Sequence, residues 1–110
     1  MSQGEIWFTD LNPTQGNEQA GQRPVLIISG DTMNNYMGLV MACPLTSVIK
    51  SREGCVVLTK TKENNLKSSS EILVYQVRSI SKSRLIKLIG KVSPSIVQEV
   101  HKQLNNFLNF

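Results

Sequence analysis

Arg23 stands at the end of a polar stretch, Gly16 to Val25 (GNEQAGQRPV), directly ahead of Pro24. Proline biases the residue before it toward extended backbone, so Arg23 leaves the loop at a defined point, while Gly16 and Gly21 permit backbone angles other residues resist. A guanidinium is planar, permanently charged and able to hold two oxygens of one phosphate, which makes it a stabiliser of negative charge and a poor proton acceptor. A surface ion pair between Arg23 and Glu18 explains the same residues equally well. The second feature is CPLTS, Cys43 to Ser47, which leaves the hydroxyls of Thr46 and Ser47 at the end of an apolar run. Hydroxyls at such an end more often satisfy nearby backbone groups than meet a ligand. Glu18 is the available carboxylate for acid–base work, and Asn17, Gln19 and Gln22 offer amides able to read base edges. The lone histidine, His101, lies in a helical segment and is set aside.

These residues need a scaffold. Glu5–Thr9 is a short apolar and aromatic segment that reads as a strand entering the long loop, with Trp7 a core residue and Phe8 or Tyr36 possible stacking faces. The unbroken apolar run in Pro24–Ser29 suits a buried central strand. Leu39–Leu45 is another strand, with Pro44 at an edge or bulge. Cys55–Leu58, Ile72–Val77 and Leu85–Val92 complete the strands, and the polar segment 59–70 between two of them reads as a mobile loop. From Ser93 the pattern changes: a candidate N-cap, Pro94 at the first helical position, and apolar residues from Ile96 to Leu108 at helical spacing. The sum is a mainly β chain with a C-terminal helix: about five to seven antiparallel strands forming a small open barrel, in one domain over residues 1–110.

With 110 residues, 40% hydrophobic and 18% charged, the composition is that of one ordinary globular unit. A net charge of +4 and a pI near 9.3 favour an anionic partner. Arg78, Lys82, Arg84, Lys87 and Lys91 predict one electropositive face, either tracking phosphates or merely solvated. Cys43 and Cys55 lack metal-ligand spacing and read as buried free thiols, no segment reads as a membrane span or leader, and the cytoplasm is the expected compartment.

The string GEIWFTDLNPTQGNEQAGQRPVLIIS, followed by ACPLTS, resembles the N-terminal half of the MazF/PemK (Kid) family of toxin endoribonucleases, and QVRSIS from Gln76 resembles the family's later segment. The resemblance implies an SH3-like open barrel and a homodimer. It also implies metal-independent, cofactor-free cleavage of single-stranded RNA, in which a ribose 2′-hydroxyl attacks the adjacent phosphate to leave a cyclic phosphate and a free 5′-hydroxyl. Arg23 and Thr46 match the family's catalytic arginine and threonine. Glu18 becomes an acid–base or loop-ordering residue, and Asn17, Gln19, Gly21, Gln22, Ser47, Gln76 and Arg78 become RNA contacts. A partner antitoxin with an acidic, partly disordered segment is implied as well. The chain departs from Kid-like members at Asn17, where they carry histidine, at Leu73 and Tyr75, where they carry an Arg-x-Asp pair, and at Ser81, where aspartate is common. The competing readings are a toxin of the same fold that binds DNA gyrase, as CcdB does, and a catalytically silent RNA-binding module.

Overall fold

A computed structural model describes residues 1–12, 16 and 21–109. In chain order the elements are β1 (Glu5–Asp10), β2 (Gln22–Ile27), α1 (Asp31–Tyr36), β3 (Leu39–Thr46), β4 (Val56–Leu58), β5 (Ser70–Ile72), β6 (Arg78–Ser81), β7 (Leu85–Lys91) and α2 (Pro94–Asn109). All strand pairs are antiparallel, in the order β4-β5-β3-β2-β1-β7, with β6 also on β3. The sheet forks at β3, which pairs with β6 over Leu39–Ala42 and with β5 over Leu45–Thr46 along the same edge.

The unbroken apolar runs of β2 and β3 follow from burial on both faces of the sheet, since neighbouring strand residues point opposite ways. Leu26, Cys43 and Leu45 join a core with Val97 and Val100 of α2. Val25, Ile27, Val40 and Ala42 face a second core, closed by Ile80 of β6, Trp7 of β1 and Leu85 of β7. β6 and β7 occupy opposite edges of this part of the sheet, so their meeting on one cluster means that the sheet curls over it, as an open barrel does. Burial pushes the Cys43 thiol up to about 12, with nearby Cys55 adding to the shift. Cys55 is free as expected but only half-buried.

Helix α2 begins at Pro94 as predicted: the carbonyl of Ser93 accepts the amide of Ile96 at 3.1 Å. The Ser93 hydroxyl lies 2.9 Å from that of Ser95. His101 ties the helix to the end of β2, its Nε2 2.8 Å from the Ile28 carbonyl oxygen. Among the described residues no helix is long and apolar enough to cross a membrane.

Three expectations need correction, and one element, α1, was not anticipated. Ile72–Val77 is not one strand: β5 ends at Ile72 and Val74–Gln76 form a 3-10 turn that swings the chain from β5 to β6. Pro44 is not at an edge; it lies within β3, opposite Val25. Its carbonyl accepts the Leu73 amide, so its nitrogen faces the gap between β6 and β5, where no ladder amide is needed. The short helix α1 joins β2 to β3 in a segment whose polar sequence carries no helical signal; it is held by buried Asn34, whose Nδ2 donates to the Ser29 carbonyl at 2.7 Å.

The third correction concerns segment 59–70, which is not a loose loop but is built on defined hydrogen bonds. Asn64 is 2% exposed, and its side chain accepts from the Thr61 and Leu66 amides and donates to the Thr59 carbonyl. One buried amide group thus does for the loop what a ladder does for a strand. The loop is fastened to β7 by the Lys91 amide donating to Glu63 and by Asn65 Nδ2 donating to the Ile89 carbonyl. Gly90 permits this seating, for a Cβ there would collide with the backbone carbonyl of Asn64. Gly90→Ala is therefore expected to lose about 1–3 kcal/mol in a denaturant titration, as overpacking against backbone does. Gly30→Ala, with nothing within 4 Å, should stay within about 0.5 kcal/mol of the parent; equal effects would show that the loop is not seated on β7.

Candidate functional site

Arg23 lies inside β2, not in the loop before it, paired with Thr9 of β1. Gly21 closes the loop stem: its carbonyl accepts the Leu11 amide at 2.9 Å and its own amide donates to Asn12 Oδ1 at 3.0 Å. Its φ of +78° is the left-handed conformation that only glycine adopts freely. Arg23 therefore leaves a pinned stem on a rigid strand. The β2–β3 ladder pairs Ile27 with Ala42, Leu26 with Cys43 and Val25 with Pro44, and Arg23 and Thr46 each lie two residues beyond this last pair on their own strands. Alternation along a strand puts residue 23 on the face of 25 and residue 46 on the face of 44, so positions 23 and 46 share a face of the sheet.

Arg23, Gln22 and Ser47 line a cleft of about 490 Å³. Phe8, Leu45, Leu66 and Leu88 form its apolar walls, and Lys67 and Lys87 add two more cations. No aspartate or glutamate lines it among the described residues, so its potential is positive and an anionic ligand is favoured. Thr46 is buried and does not line the cleft itself; its Oγ1 accepts the Val48 amide at 3.2 Å. That bond uses one of the oxygen's two lone pairs and leaves the hydroxyl proton as a donor.

Asn17, Glu18 and Gln19 lie outside the described residues. Gln76 is in the 3-10 turn and Arg78 opens β6 opposite Ala42; neither lines the cleft. Arg78 Nη1 and Arg84 Nη1 are buried without a hydrogen-bond partner among the described residues. The basic run does not form one face. Lys87 reaches the cleft, Lys82 donates through Nζ to the Asn34 carbonyl beside α1, and Lys91 borders a separate recess with Glu63. Lys82 lies in the turn before β7, and the register shift of β7 between Leu88 and Gly90 sends Lys87 and Lys91, which alternation alone would keep on one face, to different surfaces. Trp7 packs against the second core as expected, and Phe8 is the aromatic that faces the cleft. Leu73 is fully buried, and Tyr75 meets Phe107 of α2 edge-on at 6.2 Å. The positions that carry an acid–base pair in Kid-like members thus serve packing here.

Sequence reasoning missed Lys67 and Asn65 of the cleft, because they sit in the segment expected to be mobile. It also missed Glu71, a fully buried carboxylate paired with Arg52 at 2.6 Å. Glu71 accepts the Lys50 amide at 2.8 Å and the Arg52 amide at 2.6 Å. A lone acid inside the apolar run EILV was the available signal. Burial alone would raise its pKa, but the two amides and the Arg52 guanidinium outweigh it and hold the carboxyl below the usual value of 4.5.

A curled antiparallel barrel carrying a cation-lined cleft where β2 begins and β3 ends is the frame of a small open β-barrel protein. The particular family follows from comparison. The family model for the PemK-like, MazF-like toxin of type II toxin–antitoxin systems matches residues 2–108, and the chain belongs to that family. Endoribonuclease MazF of Staphylococcus saprophyticus is 34% identical over 106 residues, which is 96% of this chain and 88% of that protein. A crystal structure of MazF from Deinococcus radiodurans superposes with a TM-score of 0.86 at 29% identity, covering 100% of this chain and 97% of the other. A MazE–MazF crystal structure from the same organism superposes at 0.77 with 26% identity, over 100% and 96% of the two chains.

Because the folded Glu71 carboxyl has a lowered pKa, its contribution to stability is present above about pH 4.5 and is lost as pH falls through the folded value below that. Glu71→Gln should cost about 2 kcal/mol at pH 7, where an amide cannot accept all the buried donors. The gap between variant and parent should narrow as pH falls below 4.5, where the parent's unfolded chain takes up a proton that folded Glu71 resists; a gap that stays constant in urea titrations carried from pH 7 down to acid unfolding would contradict this account.

Proposed function

We propose that the protein is a toxin endoribonuclease that cuts single-stranded RNA at short sequences in the cytoplasm, without a metal or other cofactor, and is neutralised by a protein antitoxin. The observation that carries this reading is Arg23, held on a rigid strand in a cleft that has three cations and no carboxylate among the described residues, in a chain of the MazF-like family. Attack by a ribose 2′-hydroxyl on the adjacent phosphate needs the nucleophile in line with the leaving oxygen and compensation for charge that builds on the phosphate. Arg23 meets the second need with two parallel N–H donors. Thr46 shares its face by strand alternation, and its hydroxyl, while accepting the Val48 amide, has a proton to donate to the same phosphate. Phe8 offers an unpaired base a stacking surface, and Gln22 and Asn65 offer hydrogen bonds to its edge.

An acidic antitoxin segment laid over this cleft would compete with RNA for Arg23, Lys67 and Lys87. The assembled MazE–MazF structure of a 26% identical relative supports such a partner. The gyrase-binding alternative has no comparable support, since it gives no reason to keep an arginine and a threonine on one face.

The test is cleavage of mixed-sequence single-stranded RNA in EDTA, with the ends of the fragments mapped. The expected products carry 2′,3′-cyclic phosphate and 5′-hydroxyl ends. Arg23→Ala should lose on the order of a hundredfold or more in rate, as removal of a preorganised donor does. Thr46→Ala should lose about tenfold, the worth of one hydrogen bond. Intact RNA, or an Arg23→Ala protein as active as its parent, would rule the reading out.

A further inference from the structure

We propose that Glu71, acting through Arg52, is a positioning residue that sets the conformation of the strand exit Thr46–Val48 and so aims its hydroxyls at the RNA phosphate; this rests on the endoribonuclease reading above. Glu71 is the β5 residue directly opposite Thr46 in the β3–β5 ladder. Its carboxylate faces three donors, the amides of Lys50 and Arg52 and the Arg52 guanidinium. The same Arg52 Nη1 donates to the Val48 carbonyl at 3.2 Å, and the Val48 amide in turn donates to Thr46 Oγ1. A continuous path of hydrogen bonds therefore runs from the carboxylate to the candidate catalytic hydroxyl, through the backbone of one peptide unit on each side of Val48.

The backbone between the two amides is bent to suit the anion. Ser51 has φ of +49°, in the left-handed region that a side chain resists, and this turn lets the amides of residues 50 and 52 converge on one carboxylate. A buried ion pair is a poor source of stability, because desolvation offsets its attraction, and an apolar residue on β5 would serve packing as well. What a buried charge does supply is a single geometry for the groups around it. Here those groups are the loop that follows Thr46 and Ser47, and Ser47 lines the cleft beside Arg23. None of the three donors belongs to the cleft itself, so Glu71 touches no substrate and works on the site from behind.

The experiment compares Glu71→Gln, Arg52→Met and Thr46→Ala, singly and in double combinations, by kcat and KM on an RNA oligonucleotide containing a mapped cut site, together with amide hydrogen exchange. Glu71→Gln and Arg52→Met should each lower kcat about tenfold with KM within about twofold, the signature of an interaction felt in the transition state. In the Thr46→Ala background neither should lower kcat further. The Val48 amide should lose protection in both variants while the amides of β1 and β2 keep theirs. Arg52 is partly exposed, and its replacement leaves the Lys50 and Arg52 amides on the carboxylate, so Arg52→Met carries the test even where Glu71→Gln does not fold. Equal kcat losses with and without Thr46, or a Val48 amide that stays protected, would overturn the proposal while leaving the ribonuclease reading intact. A parent protein that cuts no RNA would remove both.

Discussion

Strand β3 must satisfy hydrogen-bonding partners along both edges and bury side chains on both faces over the eight residues Leu39–Thr46. Everything that positions the site is referred to it. One edge holds β2 and through it Arg23; the other is shared between β6 and β5, and the handover falls at Pro44. A proline would weaken most central strands by removing a ladder donor. At this position the missing donor faces the fork, so the strand can be central and still let its neighbours diverge.

Around that strand the loops are held by single buried polar side chains. Asn64 closes the segment between β4 and β5, Asn34 closes α1, and Glu71 closes the loop after β3. Each brings together backbone groups that no ladder reaches, and a buried backbone group without a partner is costly. The arrangement lets a short chain with only brief strands at β4 and β5 present ordered loop surfaces. Lys67 and Asn65 reach the cleft because Asn64, between Thr61 and Leu66, anchors the turn that carries them.

The electrostatics of the cleft follow from the same geometry. The chain has eight acidic residues, yet among the described residues none borders the cleft, and its three cations come from elements distant in sequence: β2, the segment after β4, and β7. Charge on the whole chain is only modestly positive, so the local excess is what would distinguish an RNA backbone from other ligands. Where Kid-like members carry an acid–base pair, this chain has a buried leucine and an aromatic contact to α2. The chemistry proposed for it accordingly centres on the arginine and the hydroxyl of the strand ends.

The amino-acid order alone carries the apolar runs of β2 and β3, the start of α2 at Pro94 and the open β architecture, because these depend on local pattern or on wording shared with a family. It suggests one strand over Ile72–Val77 where β5 in fact ends at Ile72, since a 3-10 turn and a strand share the same apolar pattern there. Segment 59–70 reads as loose because its polar residues suit a solvated loop, and nothing local shows that Asn64 is buried or that Gly90 leaves room for it. The roles of Lys67, Lys87, Arg52 and Glu71 were decided only by tertiary structure. A charge takes its function from what surrounds it in space, and their neighbours here are distant along the chain: Glu71 meets Arg52 across 19 residues, and Asn65 meets Ile89 across 24.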